Sequence, residues 1–179
     1  NKNDPPRVIA KKLLRVNLSD LAAMGSTPIG YILNISIPRL NNYAWLKNFC
    51  KGLKEDQSEF KIKLFGGDFC SSDKIFLSVT IFGKKKNKIH NLDSAKEGSD
   101  IFVSGTIGDS VMGLKLKNNS NLSDYKQINS KLIEHCVRKH LLPEPKIKLS
   151  CELLNFADSC TDISDGLLTD LKKILDYSN

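Results

Sequence analysis

The stretch from Ile29 to Pro38 reads Ile-Gly-Tyr-Ile-Leu-Asn-Ile-Ser-Ile-Pro, and its pattern indicates the kind of fold. Large apolar side chains recur at every second position, at Tyr31, Leu33, Ile35 and Ile37. Successive side chains of a β-strand point to opposite faces, so this alternation is typical of a strand with one buried face. We therefore predict a half-buried strand over these residues.

Helical patterns lie on both sides of this strand. Residues 8–16 have apolar side chains at helical spacing among basic ones, and the pattern runs on to Gly25, which can cap a helix end. Residues 43–53 show a second apolar helical face. Further on, residues 62–65 predict a short strand that feeds a Gly66-Gly67-Asp68 turn, and residues 75–82 predict another strand.

A polar, lysine-containing stretch from Asn87 to Gly98 separates two blocks of elements. We expect a domain boundary there, with an N-terminal domain over 1–92 and a second domain beginning at 93 and running to 179. The second block contains one predicted strand and four predicted helices: 101–103, then 110–116, 128–139, 146–156 and 167–177. Mixed strands and helices in two blocks predict an α/β (α+β) fold.

The bulk composition excludes some classes of protein. The 179 residues are 40% hydrophobic and 26% charged, as in a globular protein. No apolar run approaches the roughly 18 residues that cross a bilayer, so we expect no membrane partner. The formal charge is +7, but the lysines are scattered and the run Lys84–Lys86 lacks interleaved aromatics. We interpret that run as a solvated loop and expect no nucleic acid partner.

The five cysteines do not form a recognisable framework. They are an odd number and include no CxxC pair, which favours a reducing cytoplasm over a zinc site or a disulfide scaffold. Cys160 lies beside two polar residues without a neighbouring histidine, so a buried small hydrophobe is the favoured interpretation. The chain begins at Asn1 rather than Met, which suggests a fragment.

The sharpest local motif is Asp162-Ile163-Ser164-Asp165-Gly166, placed at the start of an apolar-faced helix. Carboxylate and hydroxyl oxygens are hard ligands suited to Mg²⁺, and a helix N-terminus offers backbone N–H groups to a phosphate. The alternative is that Ser164 or Asp165 only caps the helix. One helix needs one cap, and three polar groups crowd this end, so a ligand site stays open as a hypothesis.

Two further motifs carry weaker signals. Gly67 and Asp68 follow a predicted strand, where glycines allow a phosphate to approach the backbone and a carboxylate can hold a metal. An ordinary glycine turn with a solvated Asp68 is the alternative. Asp20 precedes a run of small residues, Leu-Ala-Ala-Met-Gly, and taken alone it reads equally as a helix carboxylate or cap.

Together, in this order, the three motifs resemble thiamine-monophosphate kinase, a family within the aminoimidazole ribotide synthetase-like ATP-binding superfamily. The segment Asn-Leu-Ser-Asp ending at Asp20, the Gly-Gly-Asp motif and the segment Asp-Ile-Ser-Asp-Gly carry the resemblance, together with an Ala-Lys-Glu-Gly link at 95–98. The resemblance implies a β-rich N-terminal domain that forms a barrel with a second copy in a homodimer, followed by part of an α/β domain. It also implies that the family's first aspartates lie upstream of Asn1.

The resemblance also implies the chemistry. ATP would transfer its γ-phosphoryl group in line to thiamine monophosphate, giving thiamine diphosphate, with Mg²⁺ offsetting the charge of the two polyanions. The residues carried over are Asp20, Asp68, Asp162 and Asp165 for Mg²⁺, and Gly67, Asp68 and Ser164 for ATP. No covalent nucleophile is implied.

Within its length, the chain departs from the family pattern at two positions. Leu92 stands where the family has an ATP-contacting Arg, with Lys88 and His90 as candidate substitutes, although a lysine is a point charge and not a bidentate donor. Phe69 stands where the family has Thr. Two alternatives remain open: a sister enzyme of the selenophosphate or aminoimidazole ribotide synthetase type, and a non-catalytic basic binding module.

Overall fold

The computed structural model describes residues 4–39, 43–118 and 129–178. They divide into two compact units, one formed by Asn1–Ser99 with Pro145–Asn179 and the other by Asp100–Glu144. Each unit is described by itself. The sequence-based boundary between residues 92 and 93 stays a prediction.

The described residues form three strands and six helices, which confirms the predicted mixed α/β class. In the larger unit these are α1 (Pro6–Ala23), β1 (Thr27–Ile37), α2 (Tyr43–Phe60), β2 (Lys63–Ser71), β3 (Phe76–Lys84), α5 (Ile147–Leu153) and α6 (Leu167–Tyr177). In the smaller unit they are α3 (Asp109–Asn118) and α4 (Ser130–Leu141). No helix among the described residues is long and apolar enough to cross a membrane.

The sheet has the strand order β2-β1-β3, with β1 parallel to β2 and antiparallel to β3. The alternation in β1 has the predicted outcome, since Tyr31, Leu33, Ile35 and Ile37 are all buried. They pack in one core cluster with α1 and α2. The opposite face of the sheet is open in the single chain, where the side chains of Phe65, Phe76 and Phe82 are 54%, 65% and 37% exposed.

The prediction of a turn at Gly66-Gly67-Asp68 is wrong, because β2 continues through these residues to Ser71. Gly67 pairs with Leu33 and has a φ of +155°, and a Cβ built on it would lie 1.8 Å from the Leu33 carbonyl oxygen. Only glycine fits such a close approach of two backbones. The glycine that sequence reading assigned to phosphate approach therefore has a structural reason to be there.

Helices α1 and α2 cross closely and are joined by buried charges. A Cβ on Gly52 would lie 2.3 Å from the Arg7 carbonyl oxygen, so glycine permits the crossing. Beside it, Arg15 donates from Nε to Oδ2 of Asp56 at 2.7 Å and from Nη2 to Oδ1 at 2.9 Å. Asp56 is fully buried, and Arg15 is 8% exposed. This bidentate pair fixes α1, the helix that ends beside Asp20.

The smaller unit consists of α3 and α4 with the segment that precedes them. The predicted strand at Ile101–Val103 is wrong, since these residues lie outside any strand of the structure and their side chains are exposed. At the start of α3, Asp109 accepts hydrogen bonds from Thr106 and from Nε2 of His135 on α4. These bonds, Thr106 first and then His135, lower the pKa of Asp109.

Candidate metal and phosphate site

The structure brings Asp20 and Asp162 together. Asp20 lies in the last turn of α1, and Asp162 lies in the loop before α6. Burial raises the pKa of Asp162, and the negative charges of Asp20 and then Asp170 raise it further. Burial also raises the pKa of Asp20. A partly desolvated carboxylate whose ionised form is disfavoured by a second carboxylate is a feature of sites that receive a cation.

Asp170, in the first turn of α6, holds the loop from Asp162 to Gly166. One oxygen of Asp170, Oδ2, accepts the backbone N–H groups of Ser164 at 2.9 Å, Asp165 at 3.0 Å and Gly166 at 3.2 Å. The Asp170 residue is 2% exposed. The residue that organises this loop is therefore Asp170.

Neither of the predicted caps performs that role. The N-cap of α6 is Gly166, with φ 118° and no side-chain cap hydrogen bond, so Ser164 and Asp165 do not cap the helix. Both side chains are exposed at the surface. Both side chains therefore project from the loop toward solvent, and the carboxylate of Asp165 pairs there with Lys173 Nζ at 2.9 Å.

Lys173 forms ion pairs with the carboxylates of both Asp165 and Asp170. Its Nζ lies 2.8 Å from Oδ1 of Asp170 and 2.9 Å from Oδ2 of Asp165. Burial works to raise the pKa of Asp170, but hydrogen bonds from Lys173 and from the N–H groups of Asp165 and Ser164 outweigh it and lower the pKa. The hydrogen bonds of Lys173 to Asp170 and Asp165 raise the pKa of the lysine.

These contacts revise how a phosphate would be bound. The N–H groups of Ser164, Asp165 and Gly166 already donate to Asp170, so they are not free to cradle a phosphate as the sequence suggested. A phosphate at this loop would be held through a cation on the carboxylates instead. Sequence reasoning missed Asp170 and Lys173, although an acidic residue in the first helical turn with a lysine three residues later is a readable signal.

Asp68 lies elsewhere in the unit, on the edge strand β2. Its backbone N–H donates to Oδ1 of Asn34 at 3.1 Å, and its own Oδ1 accepts the N–H of Phe69 at 2.8 Å. Asp68 pairs with Asn34 in the middle of β1, on the face opposite the buried Leu33 and Ile35. Asp20 instead adjoins the start of β1, where Ser26 donates its backbone N–H to the Leu21 carbonyl.

The backbone of Leu92 is hydrogen-bonded to residues that precede and follow the loop 162–166. The Leu92 carbonyl accepts the hydroxyls of Ser178 at 2.9 Å and Ser159 at 3.4 Å. Of the two residues considered as substitutes at this point, His90 is 5% exposed and contacts the Ser150 carbonyl through Nε2, at 3.2 Å. Lys88 is exposed, and its charge contributes to lowering the pKa of Asp158.

Cys160 precedes the acidic loop and does not have the surroundings of a nucleophile. Burial raises the pKa of its thiol, and the negative charge of Asp162 raises it further. A thiol with a raised pKa is less often the reactive thiolate. These surroundings agree with the interpretation of Cys160 as a small partly buried side chain.

The small number of carboxylates that lie near each other in this region is compatible with magnesium. Across residues 4–39, 43–118 and 129–178, no three histidine, cysteine or carboxylate side chains converge to enclose a metal. Mg²⁺ is usually bound by one or two carboxylates, several waters and the phosphates of a substrate, rather than by an all-protein cage. Asp20 and Asp162 are two carboxylates near each other, and the exposed Asp165 lies on the same loop as Asp162.

Comparisons with known proteins place this geometry in a family context. Residues 1–84 match the family AIRS, described as AIR synthase related protein, N-terminal domain. The chain is 37% identical over 178 residues to the thiamine-monophosphate kinase of Buchnera aphidicola subsp. Schizaphis graminum, covering 99% of this chain and 53% of that relative. The predicted resemblance to thiamine-monophosphate kinases is confirmed.

Solved thiamine-monophosphate kinase structures share the fold. The enzyme of Aquifex aeolicus superposes with a TM-score of 0.82 at 30% identity, covering 93% of this chain and 54% of that one. A structure described as AaThiL complexed with AMPPCP and TMP gives a TM-score of 0.88 at 29% identity, covering 99% of this chain and 55% of that one. The chain spans about half the length of the kinases it matches.

Proposed function

We propose that this chain carries the ATP- and magnesium-binding part of a thiamine-monophosphate kinase. The observation that carries the proposal is the similarity over 99% of the chain, at a TM-score of 0.88, to the structure described as AaThiL complexed with AMPPCP and TMP. AMPPCP is a non-hydrolysable analogue of ATP. The reaction is transfer of the ATP γ-phosphoryl group to the phosphate of thiamine monophosphate, giving thiamine diphosphate and ADP.

We propose that magnesium ions bind at the carboxylates of Asp20, Asp162 and Asp165, with water and phosphate oxygens completing each coordination shell and with Ser164 beside the nucleotide. Two polyanions repel each other, so the reaction needs cations that offset their charge and hold the attacking and leaving oxygens in line. Magnesium held by these carboxylates would supply that charge. The contribution of the chain itself is to hold the carboxylates in place and to exclude other geometries; no side chain serves as a covalent nucleophile in this proposal.

We propose that Asp68 and Gly67 belong to a site completed by a second copy of the chain. The open face of the sheet exposes Phe65, Phe76 and Phe82, and the outer edge of β2 pairs with no other strand of the described residues. Exposed sheet edges and apolar faces are covered in stable proteins. A homodimer that joins two such sheets into a barrel covers both, and it brings Asp68 of one copy toward the other.

We further propose that the domain boundary lies between residues 92 and 93, that the enzyme works in the cytoplasm, and that it has no nucleic acid or membrane partner. The five cysteines are all free, as a reducing compartment would leave them. The basic residues near the acidic loop are engaged in ion pairs, such as Lys96 with Asp158 at 3.1 Å and Lys172 with Asp176 at 2.7 Å. Such pairing supports a solvated charged surface rather than a binding patch.

The proposal is tested in the natural polypeptide that contains this chain. Thiamine diphosphate formation is followed with ATP, thiamine monophosphate and Mg²⁺, and with EDTA in place of the metal. We expect product only with Mg²⁺, and a loss of at least about 100-fold in Asp162→Asn. Asp176→Asn is the matched control, because that carboxylate pairs with Lys172 at the surface of α6. No thiamine diphosphate from the wild-type protein would reject the assignment.

A further inference from the structure

Asp170 accepts hydrogen bonds from residues that lie outside its own helix. In a helix the first four N–H groups lack intrahelical partners, and a capping side chain serves those groups. Two of the three N–H groups on Asp170 belong to Ser164 and Asp165, which precede the Gly166 N-cap. The carboxylate therefore organises the loop before the helix rather than the helix start alone.

Three consecutive N–H groups aimed at one oxygen leave the loop little freedom. They fix the orientation of the peptide planes before Ser164, Asp165 and Gly166, and so fix the directions in which the side chains of Ser164 and Asp165 leave the backbone. Both side chains point to the exposed side of the loop, whereas Asp170 is 2% exposed beneath it. Gly166, at φ 118°, provides the bend that turns the loop back over Asp170.

The second oxygen of Asp170 has a partner of its own. Lys173 Nζ lies 2.8 Å from Oδ1 of Asp170 and also 2.9 Å from the carboxylate of Asp165. The lysine balances the charge of a nearly buried carboxylate and links it to an exposed one. Loop backbone, Asp170 and Lys173 thus form one connected hydrogen-bonded group.

We propose that Asp170 is a positioning residue for the candidate site: it holds the loop 162–166 in the one conformation that presents Asp162, Ser164 and Asp165 to a magnesium-bound phosphate. The inference rests on the proposed function, in that the loop binds the metal-nucleotide complex. Asp170 itself touches neither metal nor substrate. Partners that orient metal ligands in this way commonly account for 10- to 100-fold in metal affinity or activity.

The first variant is Asp170→Asn in the natural polypeptide. The amide keeps one oxygen for the loop N–H groups, so the chain can still fold, but it loses the negative charge and turns an NH₂ group toward Lys173. We expect the affinity for Mg²⁺·AMPPCP, measured by calorimetry, to fall about 10-fold. Amide hydrogen exchange at residues 164–166 should accelerate by a similar factor, while exchange in β1 stays unchanged.

The lysines of α6 supply the controls. Lys173→Met removes the clash created by Asp170→Asn, and Lys172→Met changes a neighbouring lysine that pairs with Asp176 instead. We expect the double variant Asp170→Asn/Lys173→Met to remain as weak as Asp170→Asn, because the loop still lacks its carboxylate. Lys172→Met should bind as the wild type does.

Three outcomes would overturn the inference. One is unchanged Mg²⁺·AMPPCP affinity in Asp170→Asn, whether or not the loop exchanges faster. Another is full recovery of affinity in the double variant, because Asp170 would then act only as the partner of Lys173. The third is a wild-type protein that binds no Mg²⁺·AMPPCP. The proposed function fails on a different result, namely a wild-type protein that binds the complex but forms no thiamine diphosphate.

Discussion

Asp162, in the loop before α6, lies close enough to Asp20, in the last turn of α1, for the charge of Asp20 to raise its pKa. Burial is the larger cause of that shift. The fold therefore places Asp162 where burial and the charge of Asp20 both disfavour its ionised form. An ionised carboxylate in such surroundings destabilises the folded protein unless a cation offsets its charge, so perturbed carboxylates of this kind are candidates for functional sites.

The first prediction concerns stability without metal. The raised folded-state pKa means that ionised Asp162 costs stability above that pKa, and that the cost disappears as the pH falls below the ordinary value of about 3.8. Asp162→Asn should therefore unfold at a higher temperature than wild type at pH 7 in EDTA. The difference should shrink on acidification toward pH 4, as measured by circular dichroism melting curves.

Asp176→Asn serves as the control for this first prediction, since its carboxylate is exposed on α6 and pairs with Lys172. We expect a small change with no such trend. If Asp162→Asn were less stable than wild type at pH 7 in EDTA, the electrostatic interpretation of the Asp20–Asp162 contact would be wrong.

The second prediction concerns the buried ion pair between α1 and α2. Asp56 is fully buried and accepts two hydrogen bonds from Arg15. Lys11 Nζ also lies 3.3 Å from Oδ1 of Asp56. Removing one partner of a buried pair leaves the other charge poorly compensated, at a cost of about 3–5 kcal/mol. Asp56→Ala should approach the lower end of this range in urea denaturation, because Glu59 still accepts from Arg15 at 2.7 Å.

Glu55→Ala is the matched control for Asp56, since Glu55 is its neighbour and pairs with Arg7 and Lys11 nearer the surface. Partly exposed pairs contribute about 0–1 kcal/mol, so this variant should be close to wild type. Equal losses in the two variants would show that burial of Asp56 is not what makes the pair important.

The third prediction separates the two glycines of β2. A Cβ at Gly67 would meet the Leu33 carbonyl oxygen at 1.8 Å on a backbone of φ +155°, whereas a Cβ at Gly66 would meet nothing within 4 Å. Gly67→Ala should cost at least about 2 kcal/mol in urea denaturation, because the strands must separate or distort. Gly66→Ala should stay within about 0.5 kcal/mol of wild type.

The difference between Gly66 and Gly67 also determines which variant can test a role in nucleotide binding. A loss of activity in Gly67→Ala would report a damaged sheet, not a lost phosphate contact. Gly66→Ala leaves the sheet intact, so its nucleotide affinity reports on the backbone approach directly. Similar stability in the two alanine variants would contradict the pairing of Gly67 with Leu33.

The sequence was a good guide where periodicity reports burial on a single element. The alternation of Tyr31, Leu33, Ile35 and Ile37 predicted β1 because one face of that strand packs on helices within the same unit. The helix over 167–177 was likewise predictable from its apolar face and its glycine start. In both places, local preference and tertiary packing agree.

The sequence was a poor guide where the backbone of a neighbouring strand determines the conformation. Gly66 and Gly67 read as a turn because glycine pairs usually mark turns, but Leu33 on the neighbouring strand requires glycine for close approach. Residues 101–103 have strand-forming side chains, yet Phe102 is 89% exposed and no described strand pairs with them. Propensity alone does not supply a pairing partner.

The sequence singles out the carboxylates proposed as ligands of the candidate site, but it does not single out the residue that supports their loop. Asp20 and Asp162 stand out as motif residues, while Asp170 looks like any acidic residue in a first helical turn. Only the structure shows that its carboxylate collects three loop N–H groups. The Asp170–Lys173 spacing signals their ion pair. Because the loop donors are backbone groups, the contact of Asp170 with the loop has no side-chain signal in the sequence.

The last prediction addresses the separation of Asp20 from Asp68. Ser26 binds the Leu21 carbonyl beside Asp20, and Asp68 pairs with Asn34, eight residues further along β1. At about 3.3 Å per residue the two carboxylates of one chain lie roughly 20 Å or more apart. A magnesium ion with ligands at about 2.1 Å cannot receive both from one chain.

In the proposed homodimer, a site that needs both residues takes them from different subunits. Asp20→Asn and Asp68→Asn should each be inactive alone. When equal amounts are dissociated and reassociated, half of the dimers are mixed, and one site in each mixed dimer is free of substitutions. Activity should then recover to about a quarter of the wild-type rate. If the mixture stays inactive although mass spectrometry shows mixed dimers, each site uses Asp20 and Asp68 of one subunit, and the dimer arrangement proposed here is wrong.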